Sequence, residues 1–165
     1  MFPLKPLSPA AVPAALAKAE RYRLLNEPEQ CESICEDVLR ADPDNQPARV
    51  MLILAITDSF PQTTEAAARA MELAAGLPSD YERSYYAGLI SERRARAMLA
   101  HGGMGRLGAG QWLRQAMADY DRADTLRPPD NDDARLRWNA CARVFNAHPD
   151  LLTEDDQPNA PIMLE

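Results

Sequence analysis

The sequence predicts an all-α chain built from repeated pairs of helices. Hydrophobic residues make up 46% of the 165 residues and glycine occurs only 7 times, which is typical of a helical globular protein. The pairing of helices is predicted by residues 22–45. Their pattern indicates the end of one helix, a turn at Asn26, a second helix and a stop at Pro43. A related pattern recurs over residues 115–131. We therefore expect several helical hairpins in succession.

The first hairpin has the clearest signals. Its first helix is expected to begin near Pro13, because proline suits the first helical turn. Asn26 ends that helix, since asparagine tolerates a left-handed backbone better than most residues. Pro28 opens the second helix and Pro43 prevents its continuation. Apolar residues at helical spacing form one face of this second helix: Cys31, Ile34, Cys35, Val38 and Leu39.

The second hairpin begins after Asn45, a suitable N-cap residue for a helix. The segment Val50–Ile56 is apolar almost all round, which predicts burial between neighbouring helices. Pro61 breaks this helix. The next helix starts at Thr63 or Thr64 and runs to Gly76.

The third hairpin begins with a long helix from Asp80 to Ala100. A glycine-rich segment, Gly102–Gly110, follows, and a further helix is expected from about Gln111 to Leu126. Asn131 is then expected to cap a closing helix. One face of that helix carries Ala134, Trp138, Cys141 and Phe145, and we interpret Trp138 as a lid on the core.

Composition and charge divide the chain into three parts. Residues 1–11 are Pro-rich and expected to be flexible, residues 12–149 form the helical domain, and residues 150–165 form an acidic, disordered tail. The net charge is −7. Residues 83–143 nevertheless carry 11 arginines against 7 acids. General nucleic-acid binding is unlikely for so acidic a chain, whereas an acidic partner for the arginine-rich half stays open.

The sequence predicts a cytoplasmic protein without a cofactor, metal site or catalytic residues. No apolar run reaches the ~18 residues of a membrane span, and the N-terminus lacks the apolar core of a signal peptide. Three cysteines form an odd set, which favours reduced thiols. We interpret them as small buried hydrophobes rather than metal ligands, because the only histidines, His101 and His148, are not spaced to complete a metal site.

Several of these residues resemble the consensus of tetratricopeptide repeats, whose helix–turn–helix unit has about 34 residues. The first unit, residues 12–45, matches at Ala19, Tyr22, Cys31, Cys35, Val38 and Pro43. The third matches at Gly88, Ala116, Tyr120, Ala123 and Pro128, and the second at Ala66, Ala70 and Pro78. The third unit exceeds the family length by about 14 residues around its glycine-rich segment.

This resemblance implies an α-solenoid of about three right-handed repeats and a C-terminal capping helix. The first helix of each unit would line a concave groove that binds a peptide or helix of a partner protein. A non-enzymatic adaptor or chaperone-like scaffold is the function it implies. The predicted groove residues are Glu20, Arg23, Asp58, Glu82, Tyr85, Glu92, Arg93, Arg96, Arg135 and Asn139. Because Leu16 and Glu20 occupy the start of this surface, we predict that the family's clamp for C-terminal carboxylates is absent.

Two alternatives stay open. The chain could be a self-assembling structural subunit whose Val50–Ile56 surface or termini pair in a homo-oligomer. It could instead bind a nucleotide, since Gly103–Gly108 satisfies the pattern GxGxxG. That pattern binds dinucleotides only where a strand precedes it, so a flexible insertion between helices is the favoured interpretation. A further hypothesis is that the acidic tail folds back on the arginine-rich half and competes with a partner.

Overall fold

The computed structural model describes residues 2–60, 64–101 and 105–153, and these ranges confirm an all-α fold without strands. Two single turns of 3-10 helix, Pro9–Ala11 and Pro149–Leu151, flank the α-helices. The helices are α1 (Val12–Leu24), α2 (Pro28–Ala41), α3 (Gln46–Asp58), α4 (Thr64–Ala75), α5 (Asp80–His101), α6 (Gly105–Leu126) and α7 (Asp133–Ala147). Within these ranges, no helix has the length and hydropathy needed to cross a bilayer.

Local signals fix the ends of the first three helices. Asn26 has a φ of 61°, which confirms the predicted left-handed turn after α1. The side chain of Asn45 accepts a hydrogen bond from the amide of Ala48 at 2.9 Å, as expected of an N-cap. Before α7 the N-cap residue is Asp132 rather than the predicted Asn131, although the side chain of Asn131 accepts a 2.9 Å hydrogen bond from the amide of Asp133.

Each helix packs against the next, and α1, α3, α5 and α7 also contact one another in series. One core lies among α1 to α4 and the first half of α5, and a second among α5, α6 and α7. The segment Val50–Ile56 belongs to the first core. Leu52, Ile53 and Ile56 are buried there, which confirms the predicted burial and corrects the alternative that this segment is a free surface for self-assembly.

The prediction for the glycine-rich segment is wrong over most of its length. Residues 102–104 lie outside the described ranges, but α6 begins at Gly105 rather than at Gln111. Tertiary packing explains the difference, because Ala109 is fully buried in the second core and such contacts override the low helix propensity of glycine. The additional residues of the third hairpin therefore lengthen α5 and α6, to 22 residues each.

The helical start at Gly105 also bears on the alternative of a dinucleotide site. Two glycines of the pattern, Gly105 and Gly108, are part of α6, and the element before α6 is the helix α5, which ends at His101. A strand that would aim a pyrophosphate at the helix N-terminus does not precede it in the described residues.

Both ends of the described chain contact the helices. At the N-terminus, Leu7 packs beside the buried Val12, whereas Phe2 is 96% exposed. At the C-terminus, Leu151 is buried and its carbonyl accepts a 2.9 Å hydrogen bond from Arg114. The packed region thus includes the first residues of the predicted tail, and residues 154–165 lie outside the described ranges.

Candidate functional site

Charged side chains from α1, α3 and α5 meet around Asp58, the last residue of α3. Arg23 Nε lies 2.6 Å from one carboxylate oxygen of Asp58, and Arg93 Nη1 pairs with the other. Arg93 Nη1 also donates to Thr57 Oγ1 at 2.7 Å and to the carbonyl of Leu54 at 3.2 Å. A cation at this position is favoured because the carbonyl end of α3 is partly negative. One carboxylate therefore connects three successive helices of the series.

A second carboxylate, Glu92 on α5, connects α5, α6 and α7. Its side chain is 1% exposed and accepts a 2.8 Å hydrogen bond from the hydroxyl of Tyr120. Arg96 Nε lies 2.8 Å from one carboxylate oxygen, and Arg137 Nη1 lies 3.4 Å from the other. A buried carboxylate is tolerated only when it is paired and hydrogen-bonded in this way.

Gly88 allows the approach that brings Tyr120 to Glu92. A Cβ atom built on Gly88 would lie 2.8 Å from the ring of Tyr120 and 3.2 Å from the carbonyl of Ala116. Burial, and then the negative charge of Glu92, raise the pKa of Tyr120. The phenol is therefore protonated near neutral pH and donates to the carboxylate.

The two carboxylates and their cations form one set, which we call the arginine ladder: Arg23, Asp58, Glu92, Arg93, Arg96 and Arg137. In the part of the ladder on α5 to α7, the carboxylate is less exposed than its cation. The side chain of Glu92 is 1% exposed and that of Arg96 is 46% exposed. Guanidinium groups consequently dominate what solvent contacts. The exposed chemistry of the ladder is thus that of guanidinium hydrogen-bond donors.

The structure brings together five of the ten predicted groove residues, namely Arg23, Asp58, Glu92, Arg93 and Arg96. One of these needs correction. Glu92 is buried and cannot contact a partner directly, so its effect on the surface is to position Arg96 and Arg137.

Arg135 and Asn139 lie apart from the ladder. Arg135 Nε is 2.8 Å from a carboxylate oxygen of Asp124 on α6. Together with Asn139 and Trp138 it lines a separate cleft of about 290 Å³ between α6 and α7. The structure therefore places these two predicted groove residues apart from the ladder, because the face that α7 turns toward α5 carries Arg137 instead.

The other predicted groove residues have different environments. Glu20 is exposed, whereas Glu82 and Tyr85 are half-buried. The ring of Tyr85 stacks on Tyr81 with centroids 5.8 Å apart and lies 5.9 Å from that of Tyr120. Tyr85 is thus part of an aromatic cluster that supports the second core.

Sequence reasoning missed Arg137 as a site residue. Its spacing was the available signal, since Arg137 follows Ala134 by three residues and precedes Cys141 by four. Residues at these spacings share one helical face, and both neighbours are fully buried. An arginine on such a face needs a buried acid, which Glu92 provides.

All three cysteines are free and buried, as predicted. Burial raises the pKa of each thiol, that of Cys141 to about 12. Thiolates, the reactive form, are therefore scarce near neutral pH. Among the described residues, no group of three or more His, Cys, Asp or Glu side chains is arranged to hold a metal.

Comparisons with known proteins add no identification, because no protein-family model, curated protein or solved structure matches this chain.

Proposed function

We propose that this chain is a non-enzymatic protein-interaction module, an adaptor or chaperone-like scaffold built from tetratricopeptide-like repeats. In this proposal, a peptide or helix of a partner protein binds along the face of α1, α3, α5 and α7. The arginine ladder carries the argument, because it runs through all four helices and presents solvent-accessible guanidinium groups on that face.

The packing order supports repeats. The pairs α1–α2, α3–α4 and α5–α6 are successive hairpins, and their first helices contact in series up to α7. Small residues at positions that match the repeat pattern are buried where helices meet, including Ala19, Gly88 and Ala116. Stacked hairpins of this kind characteristically form an extended binding surface.

Exposed apolar side chains on two of the ladder helices support protein binding over binding of a free ion. Leu24 on α1, which follows Arg23 in sequence, is 77% exposed, and Leu136 on α7, which precedes Arg137 in sequence, is 63% exposed. Protein interfaces commonly combine apolar contacts with arginine. The high pKa of the three buried thiols supports a non-catalytic role, and their unpaired state supports a cytoplasmic location.

Site-specific photo-crosslinking in the native host tests the proposal. A photoreactive amino acid at Leu24 or Leu136 is expected to give discrete adducts with one partner. The same amino acid at Ser33 on α2 or Ala68 on α4, which are also exposed, is the matched control and should give none. Adducts from α2 and α4 alone, or no adducts from any position, would refute a partner on the proposed face.

A further inference from the structure

The arginine ladder is a cationic surface on an acidic protein. Four guanidinium groups oppose two carboxylates in the ladder, while the whole chain has a net charge of −7. The excess of positive charge at the surface is larger than this count of groups indicates, because Glu92 is buried whereas its arginine partners are not. A ligand that approaches the face therefore meets mainly positive charge.

Two of the arginines keep unused donors. Arg23 and Arg96 each bond to a ladder carboxylate through Nε. Their Nη1 and Nη2 groups make no hydrogen bond to the described residues. The planar guanidinium group can donate to a carboxylate through two parallel bonds. The ladder carboxylates already orient these two arginine side chains. Ligand binding would therefore require less loss of side-chain conformational entropy.

We propose that the partner segment bound on this face is acidic, a stretch of Asp and Glu residues whose carboxylates accept hydrogen bonds from Arg23 and Arg96. This inference rests on the proposed function and specifies the chemistry of the partner. Glu20, exposed one helical turn before Arg23, reduces the positive charge at the α1 end. The acidic segment therefore binds most strongly at the α5 end, where Arg96 and Arg137 share the buried carboxylate of Glu92.

The test is a titration of the full chain with fluorescein-labelled peptides, followed by fluorescence anisotropy at about 50 mM salt, where exposed charges are weakly screened. One peptide alternates Glu and Gly, and a second alternates Lys and Gly. A third has the sequence of residues 152–165 of this chain. We expect the Glu peptide to bind, the Lys peptide not to bind, and raised salt to weaken the binding severalfold.

The variant that tests the contact is Arg23→Gln/Arg96→Gln. Its matched control is Arg69→Gln, because Arg69 is 43% exposed, close to the 46% of Arg96, and pairs with Glu32 and Glu36 away from the ladder. Exposed charge pairs contribute only modestly to an interaction, so the double variant should bind the Glu peptide roughly five- to tenfold more weakly. The control should bind it as tightly as the wild type does.

Each other outcome would overturn the inference. Failure of the Glu peptide to bind, or equal binding by the double variant, would show that the ladder does not recognise acidic segments. Tighter binding of the 152–165 peptide would identify the occupant as the chain's own acidic end. A non-acidic partner that crosslinks at Leu24 or Leu136 would also overturn it, yet would leave the proposed function intact.

Discussion

The two halves of the chain place their ionic groups differently. In α1 to α4, Arg69 joins α4 to α2 through Glu32 and Glu36, and all three side chains are at least 27% exposed. In α5 to α7, the carboxylate of Glu92 is 1% exposed and bonds to the buried Tyr120. The first half therefore depends on apolar packing with ion pairs at its surface. The second half includes an ion pair in its core, where loss of one partner is far more costly.

The largest expected effect contrasts Glu92→Ala with Asp58→Ala. Loss of Glu92 leaves the buried hydroxyl of Tyr120 without its acceptor and two arginines without their counter-charge. We expect a decrease of about 3 kcal/mol in the free energy of unfolding. Loss of Asp58 should cost about 1 kcal/mol or less, because Arg23 and Asp58 are each 24% exposed and water can replace the contact.

Urea unfolding followed by circular dichroism measures both values. Glu92→Gln is the matched control, since the amide keeps one acceptor for Tyr120 and should give an intermediate loss. Equal losses for Glu92→Ala and Asp58→Ala would contradict the distinction between the halves.

Much of the first half could be predicted from sequence because its signals are local. Asn26, Asn45 and Pro43 each act within a few residues of the chain, and each ends or caps a helix where the pattern indicates. The bond between Tyr120 and Glu92 joins residues 28 positions apart. No local pattern specifies which arginine or phenol will meet a given acid across that distance.

The start of α6 was mispredicted for a related reason. Several glycines close together in sequence, such as Gly105, Gly108 and Gly110, normally indicate a loop. Glycine lowers helix stability by about 1 kcal/mol per residue. In this structure, the absence of a side chain on glycine permits close contact between α6 and the chain that follows α7. A Cβ atom built on Gly110 would lie 2.7 Å from the carbonyl oxygen of Leu151, a contact that only the folded chain reveals.

A second contrast between the halves concerns two glycines. Gly88→Ala, in α5, forces its new methyl group against the ring of Tyr120 and the carbonyl of Ala116. Such overpacking should lower the free energy of unfolding by about 1–3 kcal/mol. Gly76→Ala, after α4, is the control, because its nearest neighbour is the end of the flexible Arg49 side chain at 3.4 Å.

Thermal or urea unfolding of the two glycine variants checks this prediction. Gly76→Ala should unfold within about 0.5 kcal/mol of the wild type, as most surface substitutions do. A Gly88→Ala protein as stable as the wild type would mean that α5 and α6 can separate at no cost.

The smallest expected effect is the dependence of stability on alkaline pH. An unfolded thiol loses its proton above its ordinary pKa of 9.0, whereas folded Cys141 keeps it up to a pKa of about 12. The unfolded state then binds fewer protons, so stability falls as pH rises from 9 toward 12. At a pH of about 9.5 the loss is at most about 0.8 kcal/mol for each buried thiol.

Urea unfolding at pH values of about 8 and 9.5 measures how much the thiols of each half contribute to the pH dependence of stability. Cys31→Ala/Cys35→Ala should remove more of the pH-dependent loss than Cys141→Ala, because two of the three thiols lie in the first core. A pH dependence unchanged in both variants would show that the thiols titrate equally in the folded and unfolded states.

Both tryptophans of the chain, Trp112 and Trp138, pack against the second core. Their emission spectrum is therefore an intrinsic optical reporter for α5 to α7, with no dye attached. In a Cys141→Ala background, modification by a chromogenic thiol reagent would read only Cys31 and Cys35 in the first core. The two signals together reveal in one sample whether the halves melt as a single cooperative unit or in succession.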